Sequence, residues 1–146
     1  MDFFTAIEIS GSALSAQRYR LNIISSNLAN AQTTRTPEGG PYRRKDVVFE
    51  AVSLKPSFRE ALKDAMRNAI QGVRVSKVVE DPTPFKLVYD PGHPDADKDG
   101  YVKMPNVNTV VEMVNLINAT RSYEANIAAI DAAKNMALKA LDIANR

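Results

Sequence analysis

Asp95-Ala96-Asp97-Lys98-Asp99-Gly100-Tyr101-Val102 is spaced for metal chemistry. Three carboxylates at alternate positions, a glycine at the sixth and an aliphatic residue at the eighth follow the opening of an EF-hand calcium loop. In such a loop alternate side chains converge on a hard cation while the glycine permits a sharp turn. The pattern then breaks. The twelfth position, where a bidentate glutamate closes the loop, is Asn106, with Pro105 before it. Pro91-Gly92-His93-Pro94 stands where the incoming helix belongs. The string therefore reads first as a polar turn, which Asp and Gly favour through local hydrogen bonds and permissive φ. A calcium-binding loop using Asp95, Asp97 and Asp99 stands as the alternative.

Other reactive groups are scattered. His93, the single histidine, sits between Gly92 and Pro94 with no Ser or Lys partner at a catalytic spacing, and reads as a turn residue. Glu80 and Asp81 adjoin at a strand end and read as solvated. Gly39-Gly40 is followed by Pro41 rather than by Lys and a hydroxyl residue, so it is no phosphate loop. Arg43-Arg44-Lys45 beside Tyr42 is the only basic run, narrower than the face a phosphate backbone requires, and no nucleic-acid partner is expected. There is no cysteine, which excludes disulfides and thiolate chemistry. With no nucleophile–base pair in view, neither an enzyme nor a cofactor is expected.

The elements around these residues say more. The chain has 146 residues, 45% apolar and 25% charged, enough for one ordinary domain with a core. Residues 3 to about 31 read as one amphipathic helix with Ile7, Leu14, Leu21 and Leu28 every seven residues, interleaved with Phe4, Gly11, Arg18 and Ser25. It should fail across Thr33-Thr34-Arg35-Thr36 before Pro37. A second long helix should open on a capping box, Thr109-Val110-Val111-Glu112, and run to about Ala144, a rod of roughly 50 Å. Leu116, Tyr123, Ile130, Ala137 and Ala144 repeat along it, interleaved with Met113, Thr120, Ile127, Lys134 and Leu141. Such seams are stable only against another helix.

Between the helices the grammar changes. Val47-Val48-Phe49 reads as a short strand, and Ser57-Phe58-Arg59-Glu60 as a capping box for a short helix ending at Gly72. Val73 to Val78, then Phe85, Leu87 and Tyr89, alternate with strand spacing, and Gly100 to Lys103 reads as extended. The expected class is α+β: long terminal helices forming a coiled-coil-like core, with a small, mostly β middle module. The expected division is 1–36 for the first core helix, 37–107 for the outer module and 108–146 for the second core helix.

Asparagine is a mediocre helix former, yet Asn22, Asn27 and Asn30 lie on the first helix and five more on the last. They read either as surface polarity or as amides that set register between packed helices. The expected assembly interface therefore comprises Ile7, Leu14, Leu21, Leu28, Asn27, Asn30, Met113, Leu116, Tyr123, Ile127, Ile130 and Leu141. Charge does not oppose association, because each terminal segment is balanced and the net charge is only +2. No apolar run approaches the ~20 residues of a membrane span. Met1-Asp2-Phe3-Phe4 lacks the basic start and apolar stretch of a cleaved signal peptide, which by itself points to the cytoplasm.

Ala13-Leu14-Ser15-Ala16-Gln17-Arg18-Tyr19-Arg20-Leu21-Asn22, continuing through Ser26-Asn27-Leu28-Ala29-Asn30-Ala31-Gln32-Thr33-Thr34, resembles the N-terminal signature of the bacterial flagellar axial proteins. Tyr89 to Asp97, Gly100-Tyr101-Val102 and Pro105-Asn106-Val107 are similar to the proximal-rod members, as is the last helix with Arg121-Ser122-Tyr123-Glu124-Ala125-Asn126. The likeness covers nearly the whole chain and is weakest at residues 50–71. It implies a structural subunit of a tubular, torque-transmitting rod that spans the periplasm, with the terminal helices lining the core. It also implies export through the flagellar type III apparatus without signal cleavage, in place of a cytoplasmic location. The implied partners are copies of itself, the rod proteins FlgB, FlgF and FlgG, and the adaptor FliE, with no membrane insertion.

Overall fold

A computed structural model of the chain describes residues 3–53 and 71–144. Helix α1 runs from Phe3 to Ala29 and helix α2 from Thr109 to Ala144. Between them lie strands β1 (Lys45–Ser53), β2 (Gln71–Glu80), β3 (Lys86–Tyr89) and β4 (Tyr101–Met104). The class is α+β, two long terminal helices with a small sheet region in the middle. β1 and β2 form one two-stranded sheet, and β3 and β4 form another. The helix expected from Ser57-Phe58-Arg59-Glu60 lies outside the described residues. Its expected end does not hold: Gln71 and Gly72 open β2, and Gly72 is buried there.

No proline interrupts α1. Its exit tightens through Ala31 N–H to Leu28 C=O and Thr33 N–H to Asn30 C=O. The chain then reverses where Gly39 (φ 91°) and Gly40 (φ 79°) take the left-handed region that favours glycine. Thr36 and Gly40 close that turn at 2.9 Å, and Tyr42 N–H returns to Thr33 C=O.

α2 starts differently from the expected capping box. Asn108 is the cap: its Oδ1 accepts from Val110 N–H at 3.1 Å and Val111 N–H at 3.3 Å. Moving the cap back one residue moves Glu112 from the third to the fourth helical position. There it turns inward instead of reaching back to the helix start.

The β3–β4 pair is antiparallel, with Tyr89 opposite Tyr101 and Val88 opposite Val102. The two tyrosine rings meet edge to face at 5.3 Å. Gly100 (φ 81°) lies beneath them, and a Cβ there would come within 2.9 Å of the Tyr89 ring.

The chain forms two compact units. One contains Met1–Tyr19, Phe49–Ser76 and Ala119–Arg146; the other contains Arg20–Val48 and Lys77–Asn118. In the first, Ala16, Ala119 and Ala133 are buried, and Ser12 Oγ accepts Val73 N–H at 3.0 Å, tying α1 to β2. In the second, Ile24 and Val102 are buried together with two polar residues, Asn27 and Glu112. Both cores are small, the first built on alanine, and much apolar surface is left uncovered.

Candidate functional site

Asn27 and Glu112 are each 0% exposed and hydrogen-bonded to each other within the second unit. Asn27 Nδ2 donates to Glu112 Oε2 at 3.0 Å and to Lys45 C=O at 2.8 Å. Its Oδ1 accepts from Lys45 N–H and from Tyr42 Oη–H, each at 3.0 Å. That uses both donors and both acceptor positions of the amide. The amide pairs with Lys45 as a neighbouring strand would, fastening α1 to β1.

The charge of Glu112 is met by Arg44, whose Nε donates to Oε1 at 2.9 Å. Arg44 Nη1 also reaches Asp46 at 3.1 Å and Asp81 at 3.5 Å. Desolvation works against the Arg44 charge. The hydrogen bond and attraction to Glu112, backed by Asp46, outweigh it and hold the guanidinium above the ordinary arginine range. Thr83 N–H, at 2.9 Å, and then the Thr83 hydroxyl hold the Asp81 carboxyl below its usual range, with Arg44 adding to the effect. Asn106 completes the joint. Its Oδ1 accepts Arg44 N–H at 2.8 Å while its amide donates to Asp81 and Thr83.

This arrangement has no reactive group. It is a joint in which a buried charge is paired and a buried amide saturated, so any packing that parts these groups leaves a buried polar atom unmet. Composition and spacing assigned these residues elsewhere. Glu112 was expected in a capping box, Asp81 in solvent and Arg44 in a basic run. The run is instead engaged internally, with the Arg43 guanidinium 4.4 Å over the Phe85 ring and donating to the Asp81 and Thr83 carbonyls.

The acidic string forms a turn. Asp97 Oδ1 accepts from Asp99 N–H and Tyr101 N–H at 3.0 Å each, and Asp95 Oδ2 accepts from the Thr34 hydroxyl at 2.8 Å. The carboxylates are thus directed to separate partners, and among the described residues no group of three acidic, His or Cys side chains could hold a metal ion. The calcium alternative has no support. Beside this loop lies an open cleft of about 360 Å³ carrying charges of both signs from Arg35, Asp95, Asp97 and Lys103.

The helices show two distinct faces. Ile7, Leu14, Leu21 and Leu28 are half-buried, as are Leu116, Tyr123, Ile130 and Ala137. The residues interleaved with them on the inward face differ from expectation by one position. On α1 they are Ser10, Gln17 and Ile24; on α2 they are Glu112, Ala119, Asn126 and Ala133. Steps of three and four flank a helical position at similar angles on opposite sides, so both interleaves satisfy a seven-residue repeat. The other interleave faces outward: Phe4, Gly11, Arg18 and Ser25 are exposed on α1, as are Met113 (56%), Ile127 (40%) and Leu141 (60%) on α2. Asn30 serves the end of α1, donating to Ser26 C=O and accepting from Thr33 Oγ. Of the residues named for the interface, therefore, Asn27 is spent inside the chain. Met113, Ile127 and Leu141 face outward, and the remaining apolar ones are shared between interior and surface.

Residues 7–35 match the family described as flagella basal body rod protein, and residues 98–143 match the C-terminal family of the flagellar basal body rod FlgEFG proteins. The chain is 49% identical to the flagellar basal-body rod protein FlgC of Bacillus subtilis, over 98% of this chain and 99% of that one. It is 48% identical to FlgC of Salmonella typhimurium and 46% identical to FlgC of Borreliella burgdorferi, with 98% of each chain covered in both comparisons.

Proposed function

The chain belongs to the FlgC family of flagellar basal-body rod proteins, and from that premise we propose that it builds the proximal part of a tubular drive shaft through its terminal helices. Its role is structural rather than enzymatic, its place is the flagellar basal body, and it assembles with other rod proteins. In the proposed assembly α1 and α2 line the core, and residues 37–107 form the outer layer. The subunit leaves the cell unfolded through the flagellar type III export apparatus without signal cleavage. It meets FlgB, FlgF, FlgG and the adaptor FliE in a rod that crosses the periplasm and carries motor torque. Among the described residues no helix is long and apolar enough to cross a membrane.

One observation carries this reading. A 36-residue helix keeps large apolar side chains, Met113, Ile127 and Leu141 among them, on its outward face. Apolar surface of that extent on a single chain marks an interaction surface. The test is Ile127→Asp in cells whose only copy is the variant. Because Ile127 is 40% exposed in the subunit, the purified variant should melt as the parent does. In an assembled rod the same charge would be buried without a partner, at a cost of several kcal/mol. Export should continue while rods, hooks and swimming are lost. Normal swimming by Ile127→Asp cells would refute the assembly role of this face.

A further inference from the structure

We propose, resting on the rod-subunit reading above, that the outward face of α1 in one copy docks antiparallel on the outward face of α2 in a second copy, with Glu8 against Lys134 and Arg18 against Glu124. Both faces belong to the same compact unit. On α1, Glu8, Gly11, Ser15 and Arg18 are exposed at successive steps of three, four and three. On α2, Glu124, Ile127, Asp131 and Lys134 are exposed at the same steps. Helices whose outward residues alternate identically can meet layer by layer, knobs into holes.

The charges choose the direction. Each face carries an acid and, ten residues later, a base, a separation of about 15 Å along a helix. Parallel docking in this register would set Glu8 against Glu124 and Arg18 against Lys134. Antiparallel docking makes both contacts attractive, lays Ile127 over Ser15, and brings Asp131 to Gly11. Among the described residues none of Glu8, Arg18, Glu124 and Lys134 has an ion-pair partner within the chain. Polar residues on a helical seam fix register.

Gly11 supplies a separate reason. A helix interior disfavours glycine relative to alanine, yet a Cβ at Gly11 would meet nothing within 4 Å. The subunit itself has no use for that missing side chain. A hollow of about 200 Å³, lined by Gly11, Leu14, Ser15, Arg18 and Tyr123, opens at the same place. A second helix approaching this face would use the room: in the antiparallel register Ile127 lies over Ser15 at the edge of the hollow, and Asp131 lies over Gly11. Both halves of the match lie on one chain, and when each copy offers its two faces to two different neighbours the contact is heterologous. It repeats head to tail and leads to an open helical polymer rather than a closed dimer.

The chain has no cysteine, so disulfide trapping is clean. Cells would co-express two differently tagged full-length copies, one Ser15→Cys and the other Ile127→Cys, and purified basal bodies would be oxidised and run without reductant. A product carrying both tags is expected, and none when Leu138→Cys replaces Ile127→Cys. Glu8→Lys and Lys134→Glu should each abolish swimming, and the two together in one chain should restore it, with unchanged melting of all three purified proteins. Tagged copies present in basal bodies without the linked product, or a double variant that fails to restore swimming, overturn this docking and leave the rod reading standing. So does a photo-crosslinking residue at Ile127 that captures other rod subunits and never a second copy. Copies absent from the basal bodies overturn the rod reading and this docking with it.

Discussion

Glu112 on α2 accepts a hydrogen bond from Asn27 on α1 at 3.0 Å, and neither residue is exposed to solvent. An acid is rarely buried without compensation, and here Arg44 supplies it at 2.9 Å. The contact joins residues 85 positions apart, so within the second unit it fixes where the end of α1 meets the start of α2.

Removing one member of this joint should cost more than the pair contributes. Glu112→Ala leaves the Arg44 charge without its closest carboxylate and one Asn27 amide hydrogen bond unmade. The loss should be about 3–5 kcal/mol, as for other broken buried pairs. Asn27→Ala strands the Lys45 N–H and C=O, each worth about 1–3 kcal/mol when left unsatisfied. Urea denaturation of the two variants, with Arg44→Met/Glu112→Leu as the paired replacement, measures this. If Glu112→Ala unfolds at the parental midpoint, the joint is not a stabilising feature.

Gly100 should tolerate no side chain. At φ 81° an alanine is strained, and its Cβ would lie 2.9 Å from Tyr89 Cε2 and 3.3 Å from Pro91 Cβ. Gly40 has a similar φ of 79° but open space around it. Gly100→Ala should therefore lower stability by about 1–3 kcal/mol, and by more than Gly40→Ala, since only the first combines strain with a clash. Thermal melts of the two variants compare them directly. Equal melting temperatures would mean that the tyrosine pair yields freely.

Acid should weaken the fold through Asp81. Thr83 N–H, then the Thr83 hydroxyl, with Arg44 behind them, hold this carboxyl below its ordinary value of 3.8. A depressed folded-state value means the unfolded chain binds the proton more readily. The contribution is therefore complete above the ordinary value and is lost as pH falls through the lower one. Glu50 acts in the same sense through Ser76 first and then Arg74. Urea midpoints should hold steady down to about pH 5 and drop below about pH 4, with a shallower drop for Asp81→Asn. Superimposable acid limbs for parent and Asp81→Asn would remove Asp81 from the account.

The acidic turn should be indifferent to calcium and sensitive to the shape of Asp97. Asp97→Asn keeps an oxygen for Asp99 N–H and Tyr101 N–H and should change stability by less than about 0.5 kcal/mol. Asp97→Ala removes both contacts and should cost about 1–2 kcal/mol. Calorimetric titration with calcium should release no binding heat. A saturable heat that Asp97→Asn abolishes would revive the metal-loop alternative.

Much of the architecture was legible in the residues themselves. Unbroken seven-residue repeats marked α1 and α2 to within two residues of their observed ends, and alternation marked β2 and β3, because both patterns follow from local geometry. Ile7, Leu14, Leu21 and Leu28 lie on the inward side as their spacing requires, with Leu116, Tyr123, Ile130 and Ala137 doing the same on α2. Which second row accompanies them was not legible. Positions three and four residues away straddle the first row almost symmetrically, and hydrophobicity favours the wrong one: Met113, Ile127 and Leu141 are the more apolar row, yet Glu112, Ala119, Asn126 and Ala133 turn inward. The small Ala119 and Ala133 are buried there, and Glu112 is admitted because Asn27 and Arg44 are waiting for it. Those partners come from positions 85 and 68 residues away, a separation that no local pattern encodes and that only the folded chain closes.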